Sequence, residues 1–146
     1  MKSFCYAIKG LIAAIGSERN MRFHLCAAFY VVCAGLLCRV TAGEWTVLVL
    51  CIALVTGMEL VNTALETLCD ALHPERDEKI GRVKDVAAGA VLLCAVGAAV
   101  AGGLIFFRQD KIQAALDCFQ RWPILIAAAV VSLPLTILFI RGKKKK

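Results

Sequence analysis

The chain has 146 residues, of which 60% are hydrophobic and 19% are charged, with a net charge of +6 and a mean hydropathy of +0.77. Soluble domains of this size are less apolar, and here the charged residues are bunched between long apolar blocks, which excludes an ordinary soluble domain and predicts membrane spans. Because no soluble face is left to bind nucleic acid, the positive charge is better explained by span orientation and by anionic lipid headgroups.

The first two thirds of the chain predict a surface helix and three spans. Residues 1–22 repeat apolar residues on one face of a helix, which is typical of an amphipathic helix lying in the membrane interface. Spans are expected at about 23–42 and 45–69, followed by a polar loop over 70–85. A third span, rich in Ala and Gly, is expected at 86–107. The sequence therefore predicts an all-α integral membrane fold.

The remaining residues, 108–146, follow the expected membrane domain of residues 1–107. Residues 108–121 are polar and predict a short surface helix. Residues 122–140 are apolar and long enough for a fourth span, although Pro134 interrupts them, and a basic tail follows.

The basic residues predict the orientation of these spans. The polar loop and the carboxyl end are rich in Lys and Arg, whereas the turn between the first two spans carries only Arg39. The positive-inside rule then places both chain ends and the 70–85 loop in the cytoplasm, which requires four crossings. Residues 108–121, with three basic residues, fall outside against the rule.

An acidic stripe occupies the second half of the second span. Glu59, Asn62, Glu66 and Asp70 are spaced i, i+3, i+7 and i+11, which places the three acids on one line along a helix with Asn62 slightly to the side. An ionisable group at membrane depth is costly and usually faces the bundle interior at a functional site. A purely structural polar seam between helices is the alternative.

Three further charged residues are expected at the same level of the membrane, namely Glu18 at the end of the surface helix and Lys84 and Asp85 before the third span. Clustered carboxylates without His or Cys suit Mg²⁺, and a nearby Lys neutralises a phosphoryl group. The sequence contains no Walker A loop and no kinase glycine-rich loop, so nucleotide binding requires another architecture.

Two stretches carry a family resemblance. The segments Glu59-Leu-Val-Asn62-Thr-Ala-Leu-Glu66-Thr-Leu-Cys-Asp70 and Gly81-Arg-Val-Lys84-Asp85 resemble the prokaryotic diacylglycerol kinase and undecaprenol kinase family. Glu18-Arg-Asn-Met-Arg22-Phe-His24 is similar to its undecaprenol-type branch. The resemblance covers about residues 1–107 and implies a small homotrimeric kinase of the bacterial cell membrane, with its active site at the cytoplasmic face.

The resemblance also implies roles for individual residues in transfer of phosphate from MgATP to a lipid alcohol. Glu59 corresponds to the general base and Asn62 to a group that positions the reactants. Glu18 and Glu66 correspond to the Mg²⁺ ligands. The residues expected to contact ATP, some of them shared with the metal site, are Tyr6, Glu18, Glu66, Glu75, Arg76, Asp77, Lys84 and Asp85.

Several alternatives stay open at this point. Undecaprenol is the favoured substrate, with weak support from His24, and diacylglycerol is the other candidate. A small ion or proton transporter would use the acidic stripe as a conduction path but leaves Lys84 and Asp85 unexplained. A non-enzymatic membrane scaffold is the third possibility, although no motif residue is missing.

Overall fold

The computed structural model describes residues 2–73, 75 and 77–142. Over these residues the chain is entirely helical and contains no β-strand. The helices in chain order are α1 (Lys2–Ser17), α2 (Arg19–Leu37), α3 (Ala42–Leu72), α4 (Glu78–Phe106), α5 (Gln109–Arg121) and α6 (Ile124–Arg141). The expected all-α fold is confirmed.

Helices α2, α3 and α4 are long and apolar enough to cross a membrane. Large apolar side chains cover their outer surfaces, as on Leu54 of α3 and Leu93 of α4, which are 56% and 75% exposed. This inside-out arrangement suits contact with lipid. With 31 residues, α3 is about 46 Å long, so it extends well beyond a hydrocarbon core of about 30 Å.

The tight turn between α2 and α3 fixes one end of the bundle. Thr41 and Glu44 form a capping box at the start of α3, in which each side chain bonds the other's backbone N–H. The indole of Trp45 packs directly on Gly35 of α2, where a Cβ atom would lie only 2.6 Å from Trp45 Cη2. Glycine at this position therefore allows the two helices to approach closely.

Helix α5 packs against the same end of the bundle. The side chain of Lys111 is buried, and its ammonium bonds Glu44 Oε2 at 2.9 Å and the carbonyl oxygen of Arg39 at 3.1 Å. Arg108 adds a second ion pair to Glu44 at 3.0 Å. These contacts anchor the carboxyl-terminal extension to the α2–α3 turn.

Helix α6 then returns along α2. It begins after α5 and ends beside Arg22, near the start of α2, so the two helices run antiparallel. Midway, the Tyr30 hydroxyl forms hydrogen bonds with Ser132 and Thr136 at 3.0 and 2.7 Å. The helix is shorter than the three long ones and continues through Pro134 without a break.

The surface helix ends earlier than the sequence pattern indicates. Helix α1 stops at Ser17, and the single residue Glu18, with φ −97° and ψ 123°, separates it from α2. Arg19 and Arg22 thus belong to the first long helix. Two basic residues at this point predict an interfacial position from polarity alone. In the fold, however, the Arg22 side chain turns back and bonds carbonyl oxygens of α1.

Candidate active site

Helix α3 carries the acidic stripe from the bundle interior to its exposed end. Glu59 is 2% exposed and Asn62 is 5% exposed, Glu66 is half-buried and Asp70 is exposed. The helical repeat places the four residues about one turn apart on one face, and their burial decreases toward the exposed end of α3. The burial of a carboxylate and an amide inside an apolar bundle is what the sequence pattern predicted of a site that faces inward.

Asn62 and Glu66 are connected directly. Asn62 Nδ2 donates a hydrogen bond to Glu66 Oε1 at 2.9 Å, which orients both side chains. Asn62 Oδ1 is buried and has no hydrogen-bond partner within the described residues. Asn62 also lines a cleft of about 460 Å³ between α3 and α4. A buried acceptor without a partner is costly, which is unusual for a side chain with only a structural role.

Glu18 completes the acidic group from a different element. Its carboxylate and that of Glu66 are both within Coulombic range of the Glu59 carboxylate. The one-residue joint between α1 and α2 holds Glu18 there, with its backbone N–H bonded to the Ala14 carbonyl at 2.8 Å. Among the residues that the structure describes, no three or more Cys, His, Asp or Glu side chains are close enough to form a metal cluster.

Lys84 joins the start of α4 to the end of α3. Its ammonium forms an ion pair with the Asp70 carboxylate, and Glu66 is also within Coulombic range. Lys84 is half-buried, whereas Asp70 is exposed. The two motifs that the sequence placed at one level are therefore in contact in the fold.

The remaining expected nucleotide residues lie at the surface. Asp77 accepts a hydrogen bond from the backbone N–H of Lys79 at 2.7 Å and so caps α4, while Glu75 and Asp85 are exposed. Tyr6 is 68% exposed, and the Lys9 ammonium lies 6.0 Å from its ring centroid. Arg76 lies outside the described residues. Among those that the structure describes, none forms a hydrogen bond or ion pair with Glu59 or Asn62.

His24 lies on the apolar side of the bundle. It packs edge-on against Phe23, with ring centroids 5.6 Å apart, and lines a cavity of about 380 Å³ between α2, α3 and α4. The other residues lining this cavity are almost all apolar. An imidazole in this place is compatible with lipid contact and also with simple packing.

Arg22 belongs to the site region, but the sequence alone predicted no role for it. Arg22 donates to the carbonyl oxygens of Ile15 and Gly16 at the end of α1, at 3.0 and 3.1 Å. It thereby holds the joint that carries Glu18. A signal was present, because Arg22 lies four residues after Glu18 at the start of an apolar run.

These features define a class of protein. The chain is an α-helical membrane protein with carboxylates, an amide and a lysine gathered where its long helices leave the apolar bundle.

Comparison with known proteins narrows this class. The chain belongs to the prokaryotic diacylglycerol kinase family, which it matches over residues 5–106, and it is therefore a lipid kinase.

It is 37% identical over 108 residues to the undecaprenol kinase of Bacillus subtilis, covering 74% of this chain and 88% of that protein. It is 38% identical over 104 residues to the diacylglycerol kinase of Synechocystis, covering 70% of this chain and 59% of that protein. The diacylglycerol kinase of Haemophilus influenzae is 34% identical over 104 residues, covering 70% and 87%. The expectation of a lipid kinase is confirmed, and the transporter and scaffold alternatives are not. Membership of a kinase family implies ATP as the phosphate donor.

Proposed function

We propose that the protein transfers the γ-phosphate of MgATP to the hydroxyl of a membrane lipid alcohol, with undecaprenol as its main substrate. The single observation that carries this proposal is Glu59, a carboxylate only 2% exposed beside Asn62, Glu66 and Glu18. An ionisable side chain at this depth of an apolar bundle is costly and usually marks a functional site.

Glu59 acts as the general base. It accepts the proton of the lipid hydroxyl as that oxygen attacks the γ-phosphorus, and ADP leaves on the opposite side. Asn62 holds Glu66 through its amide N–H and presents its unpaired carbonyl oxygen to the reactants. Positioning of this kind supplies most of the rate enhancement in phosphoryl transfer.

Glu18 and Glu66 are the groups that would hold Mg²⁺. Mg²⁺ takes oxygen ligands and usually one or two protein carboxylates, with phosphate and water completing its shell. Glu18 and Glu66 both lie within Coulombic range of Glu59, and the Asn62 amide bonds Glu66, so oxygen groups of the kind that Mg²⁺ takes are present in this part of the bundle. When bound, the ion neutralises charge on the phosphates.

The nucleotide lies along the exposed end of α3 and the start of α4. Lys84, already close to Asp70 and Glu66, supplies positive charge to the phosphates. We assign the outer contacts to Tyr6, Glu75, Arg76, Asp77 and Asp85. All of these except Tyr6 belong to the polar loop of residues 70–85, which the positive-inside rule places in the cytoplasm with MgATP.

Residues 1–107 form the catalytic membrane domain in this proposal, and residues 108–146 form an extension. The family match ends at residue 106, which supports the division. The antiparallel course of α6 beside α2 supports a fourth crossing that returns the chain to the cytoplasmic side. The enzyme acts as a homotrimer in the bacterial cell membrane, as the resemblance implies.

The choice of undecaprenol rests on the Bacillus subtilis relative, whose name states that substrate and of which the match covers 88%. Diacylglycerol is the second candidate, because relatives of similar identity are named for it. Both lipids present a primary alcohol, so the same site chemistry serves either.

The decisive experiment offers radiolabelled ATP to the purified full chain with undecaprenol and diacylglycerol in parallel. We expect faster labelling of undecaprenol and loss of turnover in Glu59→Gln, which keeps the side-chain shape. Asp117→Asn, an exposed acid on α5, is the matched control and should retain turnover. Normal labelling by Glu59→Gln would remove Glu59 as the base, and preferential labelling of diacylglycerol would reverse the substrate assignment.

A further inference from the structure

The carboxyl-terminal helix and the Glu18 joint meet at one side chain. The Arg22 guanidinium reaches the last turn of α1 through two carbonyl oxygens, those of Ile15 and Gly16. Through Nε it also donates to the carbonyl oxygen of Ile140 in the last turn of α6, at 3.3 Å. A single cation thus binds two helix C-termini, whose unpaired carbonyls and negative dipole ends favour it.

Gly142 shows that the contact with α6 is closely fitted. Its φ of +62° ends the helix, and its N–H caps the carbonyls of Leu138 and Phe139, while Ile140 is left to Arg22. A Cβ atom at Gly142 would lie 2.9 Å from Arg22 Nη2 and 3.0 Å from Cζ. An arginine that merely extended toward lipid headgroups would not require glycine beside it.

The joint itself has little other support. Glu18 is one extended residue between two helices, so its dihedral angles set the direction of α1 relative to α2. Its carboxylate is within Coulombic range of the buried Glu59 carboxylate. Near the middle of α2, hydrogen bonds from the Tyr30 hydroxyl to Ser132 and Thr136 fix the position of α6 along α2.

We propose that Arg22, seated against Gly142 of the carboxyl-terminal helix, is a positioning residue that holds Glu18 in its metal-binding orientation. The extension is then part of the active-site scaffold. This inference rests on the proposed metal role of Glu18.

The test uses the full chain in lipid nanodiscs, with Arg22→Gln, Gly142→Ala and the double variant. Arg19→Gln is the control for loss of a neighbouring charge. Gly43→Ala is the control for the glycine change, because a Cβ atom there meets nothing within 4 Å. One readout is amide hydrogen exchange over residues 14–21, and the other is the dependence of kinase rate on Mg²⁺ concentration.

We expect both single variants to speed exchange over residues 14–21 and to raise the Mg²⁺ concentration for half-maximal rate by roughly three- to tenfold. The rate at saturating Mg²⁺ should change less, by about twofold. The Mg²⁺ concentration for half-maximal rate should be no higher in the double variant than in the more impaired single variant, because both changes break the same contact. Arg22→Lys should restore part of the loss, and the controls should behave like the parent chain.

Unchanged exchange, or faster exchange with unchanged Mg²⁺ dependence, would overturn the proposal. Glu18→Gln separates it from the proposed function. If Glu18→Gln itself leaves Mg²⁺ dependence unaltered, the metal assignment of Glu18 is wrong and the positioning role with it, whereas the exchange data still decide whether Arg22 and Gly142 hold the joint.

Discussion

Asn62 Nδ2 donates to Glu66 Oε1 at 2.9 Å, one helical turn along α3, while Asn62 Oδ1 is buried without a partner among the described residues. The amide thus has one satisfied end and one unsatisfied end. A buried acceptor of this kind costs about 1–3 kcal/mol, which a folding role alone does not repay. The hydrogen bond holds Asn62 and Glu66 together on the face of α3 that also carries the buried Glu59.

The first prediction concerns this amide. Replacing Asn62 with Ala removes both the orienting hydrogen bond and the unpaired oxygen, and we expect kcat to fall by about 10²–10³-fold. Thermal stability should not fall, because the orphaned acceptor is removed and Ala favours the helix. Kinase assays and thermal unfolding of the same preparation measure the two effects. A variant with the kcat of the parent chain would show that Asn62 has no part in the reaction.

The second prediction concerns Lys84. Its ion pair with Asp70 is largely exposed on the Asp side, so breaking it should change the free energy of unfolding by no more than about 1 kcal/mol. If Lys84 contacts the phosphates, Lys84→Met should raise the KM for ATP by roughly tenfold or more, since a charge-assisted contact is lost. Lys84→Arg should retain much of the affinity.

The control for Lys84 is Lys79→Met, which removes an exposed lysine from the first turn of the same helix. It tests whether net positive charge near α4 is enough. Equal rises in KM for the two variants would argue for general attraction of ATP and against a specific contact by Lys84.

Helical periodicity was enough to predict the core of the site. The spacing of Glu59, Asn62 and Glu66 fixes their common face on any straight helix, and the apolar residues around them predict burial. The all-α fold follows for a similar reason, since backbone in lipid must satisfy its own hydrogen bonds. Local spacing therefore gave both results without any tertiary information.

The features that the sequence did not reveal depend on tertiary contacts. Nothing in the pattern shows that Arg22 turns back onto α1 and α6, or that Lys111 is buried under Glu44. Both are basic residues, which sequence reasoning assigns to the membrane surface. Their partners are backbone carbonyls or residues far along the chain, and these leave no local signature.

The third prediction concerns close packing between α2 and α3. Gly35→Ala would place Cβ 2.6 Å from Trp45 Cη2, so the indole or a helix must shift. We expect a loss of about 1–3 kcal/mol in the free energy of unfolding, as for other overpacked sites. Denaturant titration of the reconstituted protein measures it. Gly57→Ala, where nothing lies within 4 Å, is the matched control and should be neutral or slightly stabilising.

Trp45 allows an internal check of the same contact. In a Trp45→Leu background the smaller side chain leaves room for the added methyl, so Gly35→Ala should cost much less than in the parent chain. An equal cost in both backgrounds would mean that the loss arises within α2 and not from the indole.

The fourth prediction separates the extension's anchor from catalysis. Lys111 is 4% exposed and its ammonium bonds Glu44 and the Arg39 carbonyl, so Lys111→Met leaves both acceptors with fewer partners. We expect the midpoint of thermal unfolding to fall by roughly 5 °C, since the loss of a buried charged partner is costly. Arg121→Met, an exposed basic residue on the same helix, should leave the midpoint unchanged.

The kinase activity of Lys111→Met is measured at a permissive temperature, at which the variant stays folded. Lys111 lies at the end of the bundle opposite Arg22, and α6 retains its Tyr30 contacts in this variant. The Mg²⁺ dependence should therefore match that of the parent chain, in contrast to Gly142→Ala. A shift as large as that of Gly142→Ala would mean that any loosening of the extension disturbs the site, and that the contact with Arg22 has no special role.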